Sequence, residues 1–201
     1  MKKFLSTWVF ILLYISANAQ NRQAARPATD VLSEGAALLF KNVRTQLTSA
    51  EKTMIFRKLG FVLSNDQEQP FAQDAESMEY PFPARALPTD MNKDGKEEVF
   101  ILFGNSFTSG STGSSVLLLI KDANGKFQNN LGFPGMLQIL PAANKGYNDL
   151  LIGGPGFEFP IWRWNGKEYT LYKTIKDSEL QKIKMMEVED VSNVYQESLN
   201  K

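Results

Sequence analysis

The sequence contains neither cysteine nor histidine. Without cysteine no disulfide can form, so an exported chain of this composition needs another staple, and a bound metal ion is the obvious one. Without histidine, the Ser-His-Asp triad, the Cys-His pair and every His-ligated zinc or iron site are excluded. Carboxylates, lysine and tyrosine remain as possible catalytic groups, but the commonest hydrolytic designs are not available to this chain.

The chain also lacks an excess of either charge. It carries 22 basic and 22 acidic residues among 201, and no block of basic residues occurs anywhere. Binding to nucleic acid depends on basic surfaces that neutralise phosphates, so nucleic acid is not an expected partner. The length is that of one domain with a real hydrophobic core.

Long hydrophobic runs are missing except at the N-terminus. Lys2 and Lys3 precede an apolar run over residues 4–15, and Ala17-Asn18-Ala19 follows it. A basic start, a short apolar stretch and an Ala-x-Ala site predict a secretory signal peptide at 1–19. The apolar run is shorter than the roughly 20 residues that span a bilayer, and no later stretch is apolar enough. We therefore expect an exported protein, periplasmic or extracellular, with no membrane span after cleavage.

The remainder divides by composition into four segments. They are a flexible leader at 20–29, an N-terminal helical segment at 30–77, a β-domain at 78–176 and a C-terminal helical segment at 177–201. In the first helical segment Asp30 is a candidate N-cap, Thr48 and Glu51 form a capping box, and Gly60 is typical of a helix end. A second capping box, Ser178 to Gln181, opens the C-terminal segment.

The β-domain is predicted from short apolar runs separated by turn residues. The predicted strands are Val99–Phe103, Val116–Ile120, Met136–Leu140, Asp149–Ile152, Pro160–Trp164 and Lys167–Tyr172. The last two are joined by Asn165-Gly166, which favours a type I′ hairpin turn.

Two stretches of the β-domain resemble each other. Glu98–Ile101 aligns with Asp149–Ile152 at an offset of 51, and Leu119–Phe127 aligns with Ile161–Tyr169. Each unit contains a strand, a Gly-rich loop, a second strand, an Asn-Gly turn and an aromatic strand, although any two such hairpins look alike. We expect an α+β fold: two propeller-blade-like antiparallel β-meanders, packed as small sheets and flanked by N- and C-terminal helices.

The strongest chemical pattern is Asp90-Met-Asn-Lys-Asp-Gly-Lys-Glu-Glu98. Oxygen donors recur at Asp90, Asn92 and Asp94, and the glycine that follows allows a sharp turn. Lys96 offers its backbone carbonyl and Glu98 a further carboxylate, which completes the ligand order of a calcium loop. The alternative is a solvated Asx turn without an ion. We predict calcium, bound with the modest affinity of extracellular modules.

This loop, feeding directly into a strand, resembles the FG-GAP/VCBS repeats of secreted and surface proteins. In an EF-hand the twelfth position is a bidentate glutamate and a helix follows, whereas this chain has Ile101 and a strand. The resemblance implies calcium bound between β-strands of a blade, by Asp90, Asn92, Asp94, Lys96 and Glu98, in an adhesion or binding protein. In the second copy only Asn144 and Asp149 could still donate, so we expect it to have lost its ion.

Three further features have alternative interpretations. Trp162 and Trp164 share one face of a strand and form either an aromatic platform, with Phe157, Phe159 and Tyr169, or part of the core. The polar loop 105–115 is either a connector or a binding loop. Glu158 is the best candidate for carboxylate catalysis, but no partner for it can be named, and no catalytic residue is assigned.

These observations favour an exported, calcium-stabilised β-domain that binds a protein or carbohydrate. The alternatives are a small carboxylate-dependent hydrolase and a periplasmic inhibitor of a foreign enzyme. The position of the exposed aromatic groups and acids separates the three possibilities.

Overall fold

A computed structural model describes residues 31–154, 156 and 158–200. The predicted signal peptide 1–19, the leader 20–29, Asp30 and Phe157 lie outside these residues. In the described part of the chain, no helix has the length and apolarity that crossing a membrane requires.

Helices lie at both ends of the described chain and strands between them. The helices are α1 (Glu34–Leu39), α2 (Ser49–Leu59), α3 (Asp177–Leu180) and α4 (Val188–Ser198). The strands are β1 (Val62–Leu63), β2 (Phe71–Ala72), β3 (Ala84–Thr89), β4 (Glu98–Phe103), β5 (Ser115–Lys121), β6 (Phe127–Pro134), β7 (Met136–Asn144), β8 (Tyr147–Gly153), β9 (Glu158–Trp164), β10 (Tyr169–Lys176) and β11 (Met186–Glu187).

The strands form two antiparallel meanders. The first sheet has the order β3-β4-β5-β6, and the second has the order β10-β9-β8-β7-β11. A small third sheet pairs β1 with β2. The predicted α+β class, with two antiparallel meanders flanked by helices, is therefore confirmed.

Side chains alternate between two cores across the first sheet. On β4, Val99 and Ile101 face a cluster beneath α1 and α2, whereas Phe100 faces the second sheet. On β5, Leu118 faces the second sheet and Leu119 the helices. Strands buried on both faces become continuous apolar runs, which is why the sequence of this sheet shows no polar alternation.

The second sheet repeats the arrangement one layer further on. Leu150 faces the first sheet, while Leu151 and Ile161 face an outer cluster covered by Ile183 and its neighbours. At the offset of 51, Leu150 of β8 aligns with Val99 of β4. Val99 faces the N-terminal helices and Leu150 faces the first sheet, so each residue faces the layer that precedes its own sheet in the chain. Segments 98–101 and 149–152 thus lie in β4 and β8, the second strand of each meander, and the two sheets stack with the same face toward the preceding layer.

The N-terminal helices follow the predicted signals with one difference. Thr48 caps α2 by accepting from the Glu51 N–H at 3.2 Å, and Gly60 ends α2 at φ +73°, as predicted. Helix α1 begins after Ser33, whose hydroxyl accepts from the Ala36 N–H, and not after Asp30. The predicted first helix was therefore too long.

Three sequence predictions near the C-terminus were wrong in detail. The cap of α3 is Lys176, two residues before the predicted Ser178. Residues 186–187 form β11 instead of continuing a helix, because they pair with Gln138 and Ile139 of β7. The β9–β10 hairpin exists, but Trp164 pairs with Tyr169. Four residues therefore form the turn instead of two, and the Asn165 side chain accepts from the Lys167 and Glu168 N–H groups.

Candidate functional site: the Asp90–Glu98 loop

The candidate loop connects β3 to β4 and is folded around the Asp90 carboxylate. Asp90 Oδ1 accepts from the Asp94 N–H at 3.0 Å, and Oδ2 accepts from the Gly95 N–H at 3.1 Å. Gly95 has φ +80°, a conformation that favours glycine. The turn predicted at Gly95 is present.

The next two predicted ligands brace the same loop. Asn92 Oδ1 accepts from the Asp94 N–H at 3.1 Å, and Asp94 Oδ1 accepts from the Lys96 N–H at 2.8 Å. Asp94 and Lys96 are exposed, while Asp90 and Asn92 are half-buried. The side-chain oxygens of Asp90, Asn92 and Asp94 therefore all accept from backbone N–H groups of the same turn.

Glu98, the last predicted ligand, is buried at the start of β4. It is 2% exposed, and its oxygens accept from the Met91 N–H at 2.9 Å and the Tyr147 hydroxyl at 3.0 Å. Burial raises the pKa of Glu98 to about 7; the two hydrogen bonds oppose this shift, and the negative charges of Asp90 and Asp94 add to it. A positive charge at this loop would favour the ionised form of Glu98.

Tyr147 links the loop to the second sheet. Its hydroxyl donates to Glu98 and accepts from Asn92 Nδ2 at 3.0 Å. Its ring packs on Trp164, with centroids 4.4 Å apart. Burial and the Glu98 charge raise the pKa of Tyr147, so it remains a donor. The two predicted ligands are thereby held against a residue from the other sheet, a contact that sequence spacing alone cannot reveal.

A small cavity of about 140 Å³ opens beside the loop. Asp94, Glu98 and Tyr147 line it, together with Lys121 at the end of β5 and Asp122 in the turn that follows. Asp122 Oδ1 accepts from its own turn, at the Asn124 and Lys126 N–H groups. Across residues 31–154, 156 and 158–200, no three His, Cys, Asp or Glu side chains converge as a metal cluster.

The donor set nevertheless fits a hard cation. Carboxylate and amide oxygens are the ligands that calcium prefers, and each oxygen has a second acceptor direction beside its present hydrogen bond. Asp90, Asn92, Asp94, Glu98 and the Lys96 carbonyl would hold the ion. Bound there, it would supply positive charge beside three carboxylates.

In the second copy, the acid that aligns with Glu98 is Asp149, and its hydrogen-bond donor is a charged side chain. Asp149 is 2% exposed and is held by Arg163, with Nε 2.9 Å from Oδ1 and Nη2 2.6 Å from Oδ2. Asn144 donates to the Trp164 carbonyl at 2.8 Å. A guanidinium supplies the positive charge here, and the expectation that this copy holds no ion stays a prediction.

The predicted aromatic platform is divided between two places. Trp164 is 8% exposed and Trp162 is half-buried, and both face the core between the sheets. Phe159 packs on the outer cluster instead. The core interpretation of the two tryptophans is the one that the structure supports. Glu158, the candidate for carboxylate catalysis, is exposed and does not lie in an apolar pocket.

Loop 105–115 is held by hydrogen bonds of Asn105, and it carries an exposed aromatic ring that the sequence did not indicate as a candidate site. Asn105 Oδ1 accepts from the Phe107 and Thr108 N–H groups, and Asn105 Nδ2 donates to the Pro81 carbonyl at 2.9 Å. Phe107 is 66% exposed and stacks on Tyr80 with ring centroids 3.7 Å apart. The loop therefore presents an exposed aromatic pair, a placement that depends on the residues 80–83 beside it.

Glu97, the residue before Glu98, is a second buried acid, and the sequence pattern did not indicate it. It is 3% exposed and accepts from the Thr45 hydroxyl, from the Gln46 N–H at 2.7 Å and from the Tyr195 hydroxyl at 2.9 Å. These contacts tie the segment between α1 and α2 and helix α4 to the start of β4. Glu97 thus makes structural contacts, and it also lines the small cavity beside the loop.

Comparisons of the whole chain with protein-family models, with curated proteins and with solved structures find no match.

Proposed function

We propose that this protein is an exported binding module for a protein partner, and that calcium at the Asp90–Glu98 loop stabilises its two-sheet body. The observation that carries the calcium proposal is the buried Glu98 carboxylate. It lies beside Asp90 and Asp94, and Tyr147 connects it to the second sheet. A cation at this position would offset the repulsion among three acids and fix the β3–β4 connection where the two sheets meet.

A protein partner is favoured over a carbohydrate by the positions of the aromatic side chains. A glycan platform would need Trp162 and Trp164 exposed on one flat face. Both face the core between the sheets instead. The exposed aromatic groups are dispersed: Phe107 and Tyr80 lie on connecting segments, Phe133 lies on β6 of the first sheet and Tyr172 on β10 of the second. Export follows from the signal-peptide pattern at 1–19, and cell fractionation of the full chain against a chain lacking 1–19 tests it.

The calcium proposal is tested by thermal unfolding of purified protein with EDTA and with calcium. Extracellular sites have dissociation constants of about 10⁻⁴–10⁻³ M. At about 10 mM calcium, we therefore expect a stabilisation of about 1.4–2.7 kcal/mol. For a domain of this size, that corresponds to a rise in Tm of about 3–10 °C.

Asp94→Ala should abolish this rise, since Asp94 is an exposed ligand at the centre of the loop. Asp74→Ala is the matched control, because Asp74 Oδ1, like Asp94 Oδ1, accepts from backbone N–H groups in an exposed turn, here those of Glu76 and Ser77, but lies outside the loop. The control variant should keep the full calcium response. An unchanged Tm of the wild-type protein on adding calcium would overturn the calcium proposal.

A second candidate function, inhibition of a foreign enzyme, is favoured by one observation. The exposed Phe107 is carried on a loop that its own hydrogen bonds hold in place, as rigid inhibitory loops require. If Phe107 is such an anchor, Phe107→Ala should weaken inhibition of the target hydrolase at least about a hundredfold. Tyr172→Ala, which removes a comparably exposed aromatic ring on β10, should not. A panel of secreted hydrolases assayed with the purified protein provides the measurement.

A further inference from the structure

A cleft of about 720 Å³ separates the two sheets at the end of the molecule opposite the candidate calcium loop. Strand β4 starts at Glu98 beside that loop and ends at Phe103, which lines the cleft together with Gly104. The volume is typical of ligand sites. The cleft is therefore separate from the loop, and the calcium proposal does not involve it.

One open strand edge borders the cleft. Strand β3 pairs only with β4, but its other edge is covered by α4, whose Ser192 hydroxyl donates to the Pro88 carbonyl at 2.8 Å. On β7, pairing with β11 ends at Gln138, so Met136 and Leu137 have a neighbouring strand only on the β8 side. The chain turns into α4 at Val188 and leaves that edge open. Open strand edges pair readily with an extended peptide through main-chain hydrogen bonds.

Apolar side chains form the walls of the cleft. Leu137 and Val188 are almost completely buried, and Leu102 is half-buried. Met136 is 63% exposed at the rim, an unusual position for a large flexible apolar side chain that is well suited to contact with a partner. An aliphatic side chain fits this surface.

The residues that line the cleft carry more negative than positive charge. Among the lining residues, all of which the structure describes, Arg85 is the only basic group and faces two acids, Glu187 and Glu189. Arg85 is held by Glu189 at 2.5 Å. Glu187 is bound by the neutral Gln138 amide, also at 2.5 Å. The negative charge of Glu187 therefore has no cationic partner in the cleft, and it complements a basic side chain.

We propose that this cleft binds an extended segment of a partner protein in which aliphatic and basic side chains alternate. The segment adds to the open edge of β7 at Met136 and Leu137, places an aliphatic side chain against Leu102 and Met136, and places a lysine or arginine at Glu187. This inference rests on the proposed function as a protein-binding module and names the chemistry of the partner.

The test uses three labelled synthetic peptides, with the mature chain in calcium and fluorescence anisotropy as the readout. Ac-KVKVK-NH₂ carries the proposed pattern, and Ac-EVEVE-NH₂ reverses the charge. In the third peptide the central lysine of Ac-KVKVK-NH₂ is methylated at its main-chain nitrogen, which keeps the charge but removes a main-chain donor. We expect the first to bind at least about tenfold more tightly than the other two. Equal binding of all three peptides, or binding of none, would overturn the proposal.

Matched variants locate the binding site. Met136→Lys introduces a positive charge at the rim and should abolish binding of the basic peptide. Met54→Lys makes the same change at a methionine that is 48% exposed on α2, outside the cleft, and should leave binding unchanged. Both variants alter exposed side chains, so both should fold. If Met136→Lys binds as tightly as Met54→Lys, the peptide does not bind in this cleft and the proposal fails.

The outcomes keep the two proposals apart. A calcium response without peptide binding overturns the cleft proposal alone, and peptide binding without a calcium response overturns the calcium proposal alone. Sedimentation at increasing protein concentration tests a second copy of this chain as the occupant. Self-association that Met136→Lys abolishes would make the cleft an interface between copies and overturn the peptide proposal.

Discussion

At the scale of single residues, the chain provides different hydrogen-bond donors to two equivalent acids. Asp149 accepts a two-point contact from Arg163, and this hydrogen bonding, together with the Asp149 charge, raises the pKa of Arg163. Glu98 accepts only from neutral donors, Met91 and Tyr147. The two sheets thus place an acid at the same strand position but supply a protein cation to only one of them.

Arg163→Met should therefore strongly destabilise the protein. The Asp149 side chain is 3% exposed, and removing its partner leaves a buried charge that costs about 3–5 kcal/mol. Arg85→Met is the control, since the Arg85 side chain is 58% exposed and exposed pairs contribute only about 0–1 kcal/mol. Urea unfolding measures both. A loss of less than 1 kcal/mol for Arg163→Met would show that Asp149 is not dependent on the guanidinium.

At the scale of elements, helix α2 is fixed at its N-terminus by Glu51. Its carboxylate accepts from the Thr48 N–H at 2.9 Å and from Lys121 of β5 at 2.6 Å. Partial burial would raise the pKa of Glu51, but the hydrogen bond from Lys121 and those from Thr48 outweigh it, and the net shift is downward. One residue therefore completes the cap and joins the helix to the first sheet.

The lowered pKa of Glu51 predicts a pH dependence with a definite sign. A carboxyl that releases its proton more readily in the folded state stabilises the fold above its unfolded pKa, about 4.3. That contribution is lost as the pH falls below about 5 and through the lower folded pKa. Glu51→Gln should be less stable than the wild type at pH 7, and the gap should narrow by pH 3. A gap that is constant between pH 7 and pH 3 would contradict this assignment.

At the scale of the whole molecule, the two sheets pack on each other, and the outer face of each sheet is covered by other segments of the chain. The N-terminal helices cover the first sheet, and Leu180, Ile183 and Met185 cover the outer face of the second. Two sheets cannot close a propeller, which takes at least four blades. Covering segments therefore bury the outer faces of the two sheets. Polar contacts join the sheets at two places, where the Tyr147 hydroxyl donates to Glu98 and where Asn130 Oδ1 accepts from the Tyr169 N–H at 2.9 Å.

Tyr147→Phe tests the first of these contacts between the sheets. The change keeps the ring against Trp164 but leaves Glu98 Oε1 and Asn92 Nδ2 without their shared partner, so we expect a loss of about 1–3 kcal/mol. Tyr80→Phe, at a ring that is 42% exposed, should change stability by less than about 0.5 kcal/mol. Chemical denaturation of both variants provides the comparison, and equal stabilities would show that the hydroxyl does not link the sheets.

The sequence alone determined the features that depend on neighbours along the chain. The capping box at Thr48, the turn at Gly95 and the loop that brings Asp90 and Asp94 together all follow from local hydrogen bonding and backbone conformation. The strand runs and their offset of 51 likewise predicted two similar sheets. The turn at Asn165 differed because pairing of Trp164 with Tyr169 set its length.

Only the tertiary structure decided which distant groups meet. Tyr147 reaches Glu98 across 49 residues of chain, and the segment 186–187 is a strand because β7 offers it an edge. The direction of Trp162 and Trp164 into the core, and the cleft between β3 and β7, depend on how the two sheets pack. These contacts join residues far apart in the chain, and the physical reason that they escape prediction is that no local pattern encodes the packing of one sheet on another.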